Sequence, residues 1–120
     1  MEWHLCQYLN VFSEFYDSLT DVELQAEIDQ RLERLRQFGN MAKMPVSEPL
    51  GKGVFACRAD SAQHRARMLY CFQPGRRIVI VLCVLKDQRK IAQADIDLAR
   101  ERKAAIEAYE ERISGIHSTH

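Results

Sequence analysis

Residues 66–85, "ARMLYCFQPGRRIVIVLCVL", combine two apolar runs with a turn between them. The first run, 66–73, alternates between two sets of side chains, and the second, 76–85, contains the continuous apolar sequence "IVIVLCVL". The proline and glycine of the joining "QPGRR" are a strong turn signal. A short, continuous apolar run is typical of a strand that is covered on both faces. The stretch therefore predicts an antiparallel hairpin whose second strand is central in a sheet.

Segments on both sides of this hairpin predict further strands and helices. Residues 3–10 alternate as a short strand does, and residues 53–59 read as a strand that pairs with the hairpin. Helical spacing of apolar residues appears over 11–19, within 18–39 and over 93–113. The predicted order is therefore β-α-α-β-β-β-α. It indicates an α+β fold, with a helical hairpin and a C-terminal helix packed on one mainly antiparallel sheet.

The longest predicted helix has clear signals at both ends. Thr20 or Ser18 can cap its first turn, and Glu23 stands three residues after Thr20, as in a capping box. Gly39 follows the last apolar position, where a C-terminal stop is expected. The apolar positions of this helix are Val22, Leu24, Ile28, Leu32, Leu35 and Phe38.

The remaining segments are predicted to lack regular structure. Residues 40–52 contain two prolines and a glycine, so we expect a loop. Residues 113–120 are expected to be a frayed tail, because chain ends are rarely held in place. Neither flank of the loop could build a core alone. The sequence therefore predicts a single domain over residues 1–120.

The net charge of zero hides an uneven distribution of charges along the chain. Residues 1–57 carry five Lys/Arg and nine Asp/Glu, whereas residues 58–90 carry eight and two. A local positive patch attracts polyanions even when the whole protein is neutral. The overall neutrality nevertheless weakens a nucleic-acid reading, because such binding consists largely of phosphate neutralisation.

Cysteine usage and the lack of targeting signals point to a reducing compartment. The four cysteines lie in apolar runs without CxxC spacing, so we interpret them as buried small hydrophobes. The N-terminus has no basic n-region, and no apolar run is long enough to span a bilayer as a helix. The four histidines have no metal-ligand spacing. We therefore expect a cytoplasmic protein with no membrane association, no metal and no cofactor.

Three cations are the main candidates for chemistry. Strand alternation places Arg67 on one side of its strand with Leu69, and Arg58 can lie near it if the two strands pair. Lys86 follows the central strand. Guanidinium groups bind phosphate and stabilise charge that builds on a transferring phosphoryl group, which suits metal-free RNA cleavage. The alternative is a solvated sheet face along which arginine stems pack.

Five further residues are weaker candidates. Arg65, Arg89 and Lys90 would hold flanking RNA backbone beside the three central cations. His64 lies in the loop before the arginine-bearing strand, where it could act as an acid or a base, although an exposed loop histidine is the simpler interpretation. Tyr70 could assist, but it is more readily explained as a core residue.

Three stretches of the chain resemble a known family. They are "LRQFGNMAKMPVSEPLGKGVFACR" at 35–58, "RARMLYCFQPGRRIVIVLCVLK" at 65–86 and "DIDLARERKAAI" at 95–106. In this order and spacing, over about residues 30–102, they resemble the phage-derived Gp49-like branch of the RelE/ParE/HigB toxin superfamily. The resemblance implies the RelE-like microbial RNase fold and a cytosolic toxin of a type II toxin–antitoxin system.

Such toxins are typically ribosome-dependent mRNA endonucleases that need no metal. They are neutralised by a cognate antitoxin, often a helix-turn-helix protein. The resemblance carries the family's site residues onto Arg58, Arg67 and Lys86, and its second tyrosine onto Tyr70. ParE-type members poison gyrase instead, so the alternative is a non-catalytic binder of the same fold, either a gyrase-type inhibitor or a decayed or repurposed toxin.

The sequence departs from the family pattern where proton transfer is concerned. The pattern's glutamate is Ala56 here, and its histidine near the end of the last strand is Leu82. The second residue of a lysine pair is Asp87, and a downstream Thr-Pro is Ile91–Ala92. The resemblance therefore supports the phosphate-binding cations and leaves the general base and acid unassigned.

Overall fold

The computed structural model describes residues 2–43, 46–86 and 90–116. Over these residues the chain forms three α-helices and one six-stranded sheet. The elements, in chain order, are β1 His4–Tyr8, α1 Val11–Ser18, α2 Val22–Phe38, β2 Glu48–Gly51, β3 Val54–Asp60, β4 Arg65–Gln73, β5 Arg77–Lys86, α3 Gln93–Ala108 and β6 Ile113–Gly115.

The sheet has the strand order β2-β3-β4-β5-β1-β6. Strands β1 and β5 run parallel, and every other neighbouring pair is antiparallel. The β4–β5 hairpin forms as its sequence predicts, with Gln73 opposite Arg77. Strand β5 lies between β4 and β1, and its residues 78–81 are buried. The prediction of a central strand covered on both faces is therefore confirmed over this part of β5.

Helices cover both faces of the sheet, and each face builds its own apolar core. Helices α1 and α2 pack on one face, which we call the hairpin side, over Met68, Tyr70 and Ile80 among others. Helix α3 packs on the opposite face, the α3 side, over Leu69 and Val79 among others. Alternation along β4 thus assigns its side chains to two cores, as the sequence predicts. No helix in the described ranges is long and apolar enough to cross a membrane.

Helix α2 begins one residue later than a Thr20 cap would allow and three residues later than a Ser18 cap would allow. Asp21, rather than Thr20 or Ser18, is the N-cap, and its carboxylate accepts a hydrogen bond from the Leu24 backbone N–H at 3.0 Å. Glu23 makes no capping box; its carboxylate accepts from the Ala62 backbone N–H. The predicted stop at Gly39 is confirmed. Aspartate caps a helix as well as serine does, so residue type alone could not select the cap.

Asp21 also forms hydrogen bonds that hold the β3–β4 loop against the N-terminus of α2 on the hairpin side. Its Oδ2 accepts from the Ser61 hydroxyl at 2.6 Å and lies 2.7 Å from His64 Nδ1. These hydrogen bonds, those with His64 and Ser61 first, lower the pKa of the carboxyl from 3.8 to about 2. A carboxylate held in this way stabilises the fold above its ordinary pKa, and the stabilisation is lost as the pH falls towards 2.

We therefore expect Asp21→Asn to lower the urea midpoint at neutral pH and to lose this effect in acid. Asparagine can still cap the helix, so the substitution keeps the cap and removes the charge together with the oxygen that contacts Ser61 and His64. The difference in midpoint between the wild type and the variant should shrink as the pH falls from about 4 to about 2. Asp97→Asn on α3 reports the general cost of removing one surface carboxylate. A difference that is independent of pH would contradict the assignment.

Two short strands lie in segments where no strand was predicted. The predicted loop 40–52 contains β2, which is an edge strand. Pro49 has no backbone N–H, and an edge strand accommodates it because no neighbouring strand on the outer side needs that hydrogen bond. The closing helix ends at Ala108, and β6 pairs with β1 where a frayed tail was expected. The apolar side chain of Ile113 joins the α3-side core, which holds this strand in place. Residues 117–120 of the predicted tail lie outside the described residues.

Candidate functional site

Four cations come together on the α3 side at one end of the sheet. Arg58 lies directly opposite Arg67 in the β3–β4 register, and Arg65 lies opposite Lys86 in the β4–β5 register. Directly opposed residues of an antiparallel pair point to the same face, about 5 Å apart at Cβ. We call Arg58, Arg65, Arg67 and Lys86 the cationic end. Arg58 and Arg67 lie on one face, as alternation predicts, and the registers place Arg65 and Lys86 beside them.

A groove opens beside Arg58. It has a volume of about 470 Å³ and is lined by Glu48, Leu50, Arg58, Lys90, Ile91 and Ile96. Volumes of this size are usual for small-molecule sites. Two cations and one carboxylate share the groove with three apolar side chains, Leu50, Ile91 and Ile96. The Arg58 groove, as we name it, can therefore offer both charge and apolar contact to one ligand.

Glu48 is the acidic group of the Arg58 groove. It lies on β2 opposite Ala56, and its Oε1 accepts from Arg58 Nε at 2.7 Å and lies 2.6 Å from Arg58 Nη2. Both side chains keep about a fifth of their surface exposed. Among the described residues, Oε2 of Glu48 has no hydrogen-bond partner. The arrangement fixes one carboxylate oxygen on the arginine and leaves the other able to accept a proton.

Arg67 differs from the expectation that it holds phosphate directly. The residue is 0% exposed, and its Nη1 donates to Asp60 Oδ1 and to the Ala66 carbonyl, each at 2.7 Å. Its Nε is buried without a hydrogen-bond partner within the described part of the chain. A guanidinium in this position contributes charge below the surface and has no exposed atoms with which to contact a ligand.

Lys86 also has a carboxylate partner. Its Nζ lies 2.5 Å from Asp95 Oδ2, in the first turn of α3, and both side chains are about one quarter exposed or less. Arg65 makes no ion pair with any described residue, and its Nε is buried without a partner. Three of the four cations in the cationic end are therefore matched by carboxylates, on Glu48, Asp60 and Asp95.

His64 and Tyr70 do not join the cationic end. His64 is held against Asp21 at the start of α2, which packs on the hairpin side. Tyr70 is 0% exposed in the hairpin-side core, where its ring stacks on Phe55 with centroids 5.7 Å apart. Burial raises the pKa of the Tyr70 phenol. The core interpretation of Tyr70 therefore fits the structure, and a role as a catalytic accessory does not.

The hydroxyl of Tyr70 lies 2.5 Å from Ser47 Oγ, and both groups are buried. Tyr70→Phe should therefore lower the free energy of unfolding by about 1–2 kcal/mol, because the serine hydroxyl loses its partner. Urea unfolding measures this loss, with Tyr109→Phe as an exposed control. Unchanged stability would contradict a stabilising role for the Ser47–Tyr70 hydrogen bond.

The last two predicted RNA-binding residues are Arg89 and Lys90. Arg89 lies outside the described residues, whereas Lys90 is exposed and lines the Arg58 groove.

The buried cysteines are unreactive thiols. Burial raises the pKa of the Cys57 thiol to about 12 and that of Cys71 to about 11, so both stay protonated at neutral pH. No cluster of three or more metal-ligating side chains occurs in the described ranges.

Sequence reasoning missed Glu48 as a site residue. The residue falls in a segment that was read as a loop, so strand alternation was not applied to it. The available signal was the pair Glu48 and Pro49 just before Leu50, in which an acid leads into a short apolar segment close to Arg58 in sequence. The register of β2 with β3 is what places its carboxylate beside the arginine.

Comparison with known protein families identifies the family of the chain. No curated protein matches the chain. The profile of the family described as "Phage derived protein Gp49-like" matches residues 16–104, which is most of the chain. The match runs from the end of α1 to the greater part of α3 and includes the cationic end and the Arg58 groove. The chain therefore belongs to the phage-derived Gp49-like protein family.

Proposed function

We propose that the chain is the toxin of a type II toxin–antitoxin system and cleaves translated mRNA without a metal. The observation that supports this proposal is the juxtaposition in one groove of Arg58, Lys90 and a carboxylate with a free oxygen. RNA carries its own nucleophile, the 2′-hydroxyl. Cleavage therefore needs only a proton acceptor, a proton donor and cations that stabilise the phosphorane.

In this proposal Glu48 is the proton acceptor. It takes the proton of a 2′-hydroxyl, and the 2′-oxygen attacks the adjacent phosphorus while the bond from phosphorus to the next 5′-oxygen breaks. The products are a 2′,3′-cyclic phosphate and a 5′-hydroxyl, whose proton comes from Lys86. Arg58 binds the scissile phosphate, since guanidinium donors match phosphate oxygens in bidentate fashion.

The other cations serve binding rather than chemistry. Arg65 and Lys90, with Arg89, hold the flanking backbone or ribosomal RNA. The buried charge of Arg67 lies next to Arg58 in the register and adds positive potential beneath the phosphate. Leu50, Ile91 and Ile96 provide the apolar wall against which a nucleobase can pack. A cognate antitoxin, often a helix-turn-helix protein, would restrain the toxin in the cytoplasm.

Induced expression in a bacterial host, with translation and mRNA followed together, tests the proposal. Wild-type protein should arrest translation and produce cleaved mRNA, and purified protein with ribosomes should do so in excess EDTA. Arg58→Ala should lower cleavage by about 100- to 1,000-fold, because one donor to the developing charge is lost. Arg112→Ala, away from the groove, is the matched control. Translation arrest with intact mRNA would contradict nuclease activity.

A second candidate is a non-catalytic binder, for example a gyrase-type inhibitor or a repurposed toxin. The ion pairs favour it, since Arg58, Arg67 and Lys86 each already contact a carboxylate. A phosphate competes with Glu48 and Asp95 for these cations, which weakens its binding. Growth arrest with an SOS response and intact mRNA would support gyrase inhibition. Absence of any growth effect would support a decayed toxin.

A further inference from the structure

A second groove lies on the hairpin side, between α2 and two described parts of the following segment, residues 41–43 and Val46. It has a volume of about 470 Å³, and its main lining residues are Arg31, Arg34, Phe38, Met41, Lys43 and Val46. Along α2 it extends from Glu27 to Phe38, a helical length of roughly 16 Å, or three turns. We call it the α2 groove. None of the predicted site residues lines it.

Two large apolar side chains stand exposed in the α2 groove. Phe38 is 49% exposed and Met41 is 73% exposed, although both belong to residue types that normally contribute to cores. Val46, at the base of the groove, belongs to the hairpin-side core. Phenylalanine, methionine and arginine are enriched at protein–protein interfaces. The apolar part of this groove can therefore receive one or two apolar side chains from another protein.

The α2 groove is basic, although the part of the chain that builds it, residues 1–57, is acidic overall. Residues 1–57 carry nine acidic and five basic side chains, yet three of those five bases, Arg31, Arg34 and Lys43, line the groove. Its one acid, Glu27, is paired with Arg31 at 3.0 Å. Arg34 and Lys43 form no ion pair with any described residue, and the Arg34 guanidinium lies 5.8 Å from the Phe38 ring centroid.

We propose that the α2 groove binds an acidic segment of a partner protein that carries an apolar anchor side chain. Charge complementarity selects this occupant: the two cations without ion pairs flank the exposed Phe38 and Met41, so acids must flank the anchor. A segment of about three helical turns, with acids and apolar residues at i, i+3 and i+4, matches the length of the groove.

The position of the groove separates this interaction from the proposed RNA site. The α2 groove belongs to the hairpin side, whereas the Arg58 groove is walled by Ile91 and Ile96 of the α3-side core. A partner segment in the α2 groove therefore leaves the cationic end uncovered. The inference does not depend on nuclease activity, and it holds equally for a non-catalytic binder.

Selection from a displayed library of random peptides on the immobilised full-length protein tests the inference. The selected peptides should be enriched in Asp and Glu beside Leu, Ile, Met, Phe or Trp at helical spacing. Their affinity, measured by fluorescence anisotropy, should fall at least about 10-fold with Arg34→Glu or Lys43→Glu, because each change places like charges opposite. Lys52→Glu, in the exposed β2–β3 turn, is the matched control and should bind as the wild type does.

Three results would overturn the inference. One is a pool of selected peptides without acidic enrichment, or a pool that binds the Arg34→Glu and Lys43→Glu variants as tightly as it binds the wild-type protein. Another is a concentration-dependent dimer that both substitutions dissociate, which would make a second copy the occupant. The third is displacement of the peptide by single-stranded polyuridine, which would make the groove part of an RNA surface. Cleavage assays with Arg58→Ala report the proposed function separately.

Discussion

Glu48→Gln is expected to lower RNA cleavage by roughly 100- to 10,000-fold, the usual contribution of a positioned general base. Glutamine retains a carbonyl oxygen that can accept from Arg58, so the arginine that we propose binds the phosphate stays in place. What the variant loses is the second carboxylate oxygen, which has no partner among the described residues and is available to a proton. The loss should therefore fall on kcat, while KM for the RNA changes little.

Cleavage kinetics on one defined mRNA, with ribosomes supplied in excess, measure this effect. Glu101→Gln, an exposed carboxylate on α3, removes the same charge outside the groove and should cleave normally. If Glu48→Gln cleaves at the wild-type rate while Arg58→Ala does not, the nuclease proposal stands and Glu48 is only the ion-pair partner of the arginine.

The parts of the fold that could be predicted are those with long periodic patterns. The β4–β5 hairpin and α2 each repeat their pattern over many residues, so chance matches are rare. Strands β2 and β6 span only four and three residues. Segments this short show too few apolar–polar alternations to indicate a strand. Pro49 also argues against a strand at its position, except at the edge of a sheet. Pairing with β3 and β1 is what makes these segments strands.

The sequence predicts on which face of the sheet the site cations lie, but not how deeply each of them is buried. Alternation correctly places Arg58 and Arg67 on one face, because the pleat fixes which way each side chain points. It does not say that Arg67 is fully buried, because that depends on what covers the strand. The carboxylates that pair with the cations, among them Asp95 at the start of α3, come from elements whose positions only tertiary packing determines.

Gly39→Ala should destabilise the fold more than either Asp21→Asn or Tyr70→Phe. Gly39 ends α2 with φ +52° and ψ −124°, a combination that residues with a Cβ rarely adopt. A methyl group at this position would lie 1.9 Å from Trp3 Nε1 and 2.2 Å from Trp3 Cε2. Trp3 is itself held on the fold, because its indole packs on Phe72 with centroids 5.1 Å apart and its backbone N–H donates to the Arg36 carbonyl.

Backbone strain and overpacking therefore act together, and we expect the free energy of unfolding to fall by about 2–5 kcal/mol. That is a large part of the stability of a domain of this size. Urea unfolding measures the loss, and Gly115→Ala is the control, since a Cβ there meets nothing within 4 Å. The two causes separate in a Trp3→Ala background, where the clash is absent and only the backbone strain remains. A loss of equal size in both backgrounds would assign the whole effect to the backbone, and a loss below that of Gly115→Ala would contradict both causes.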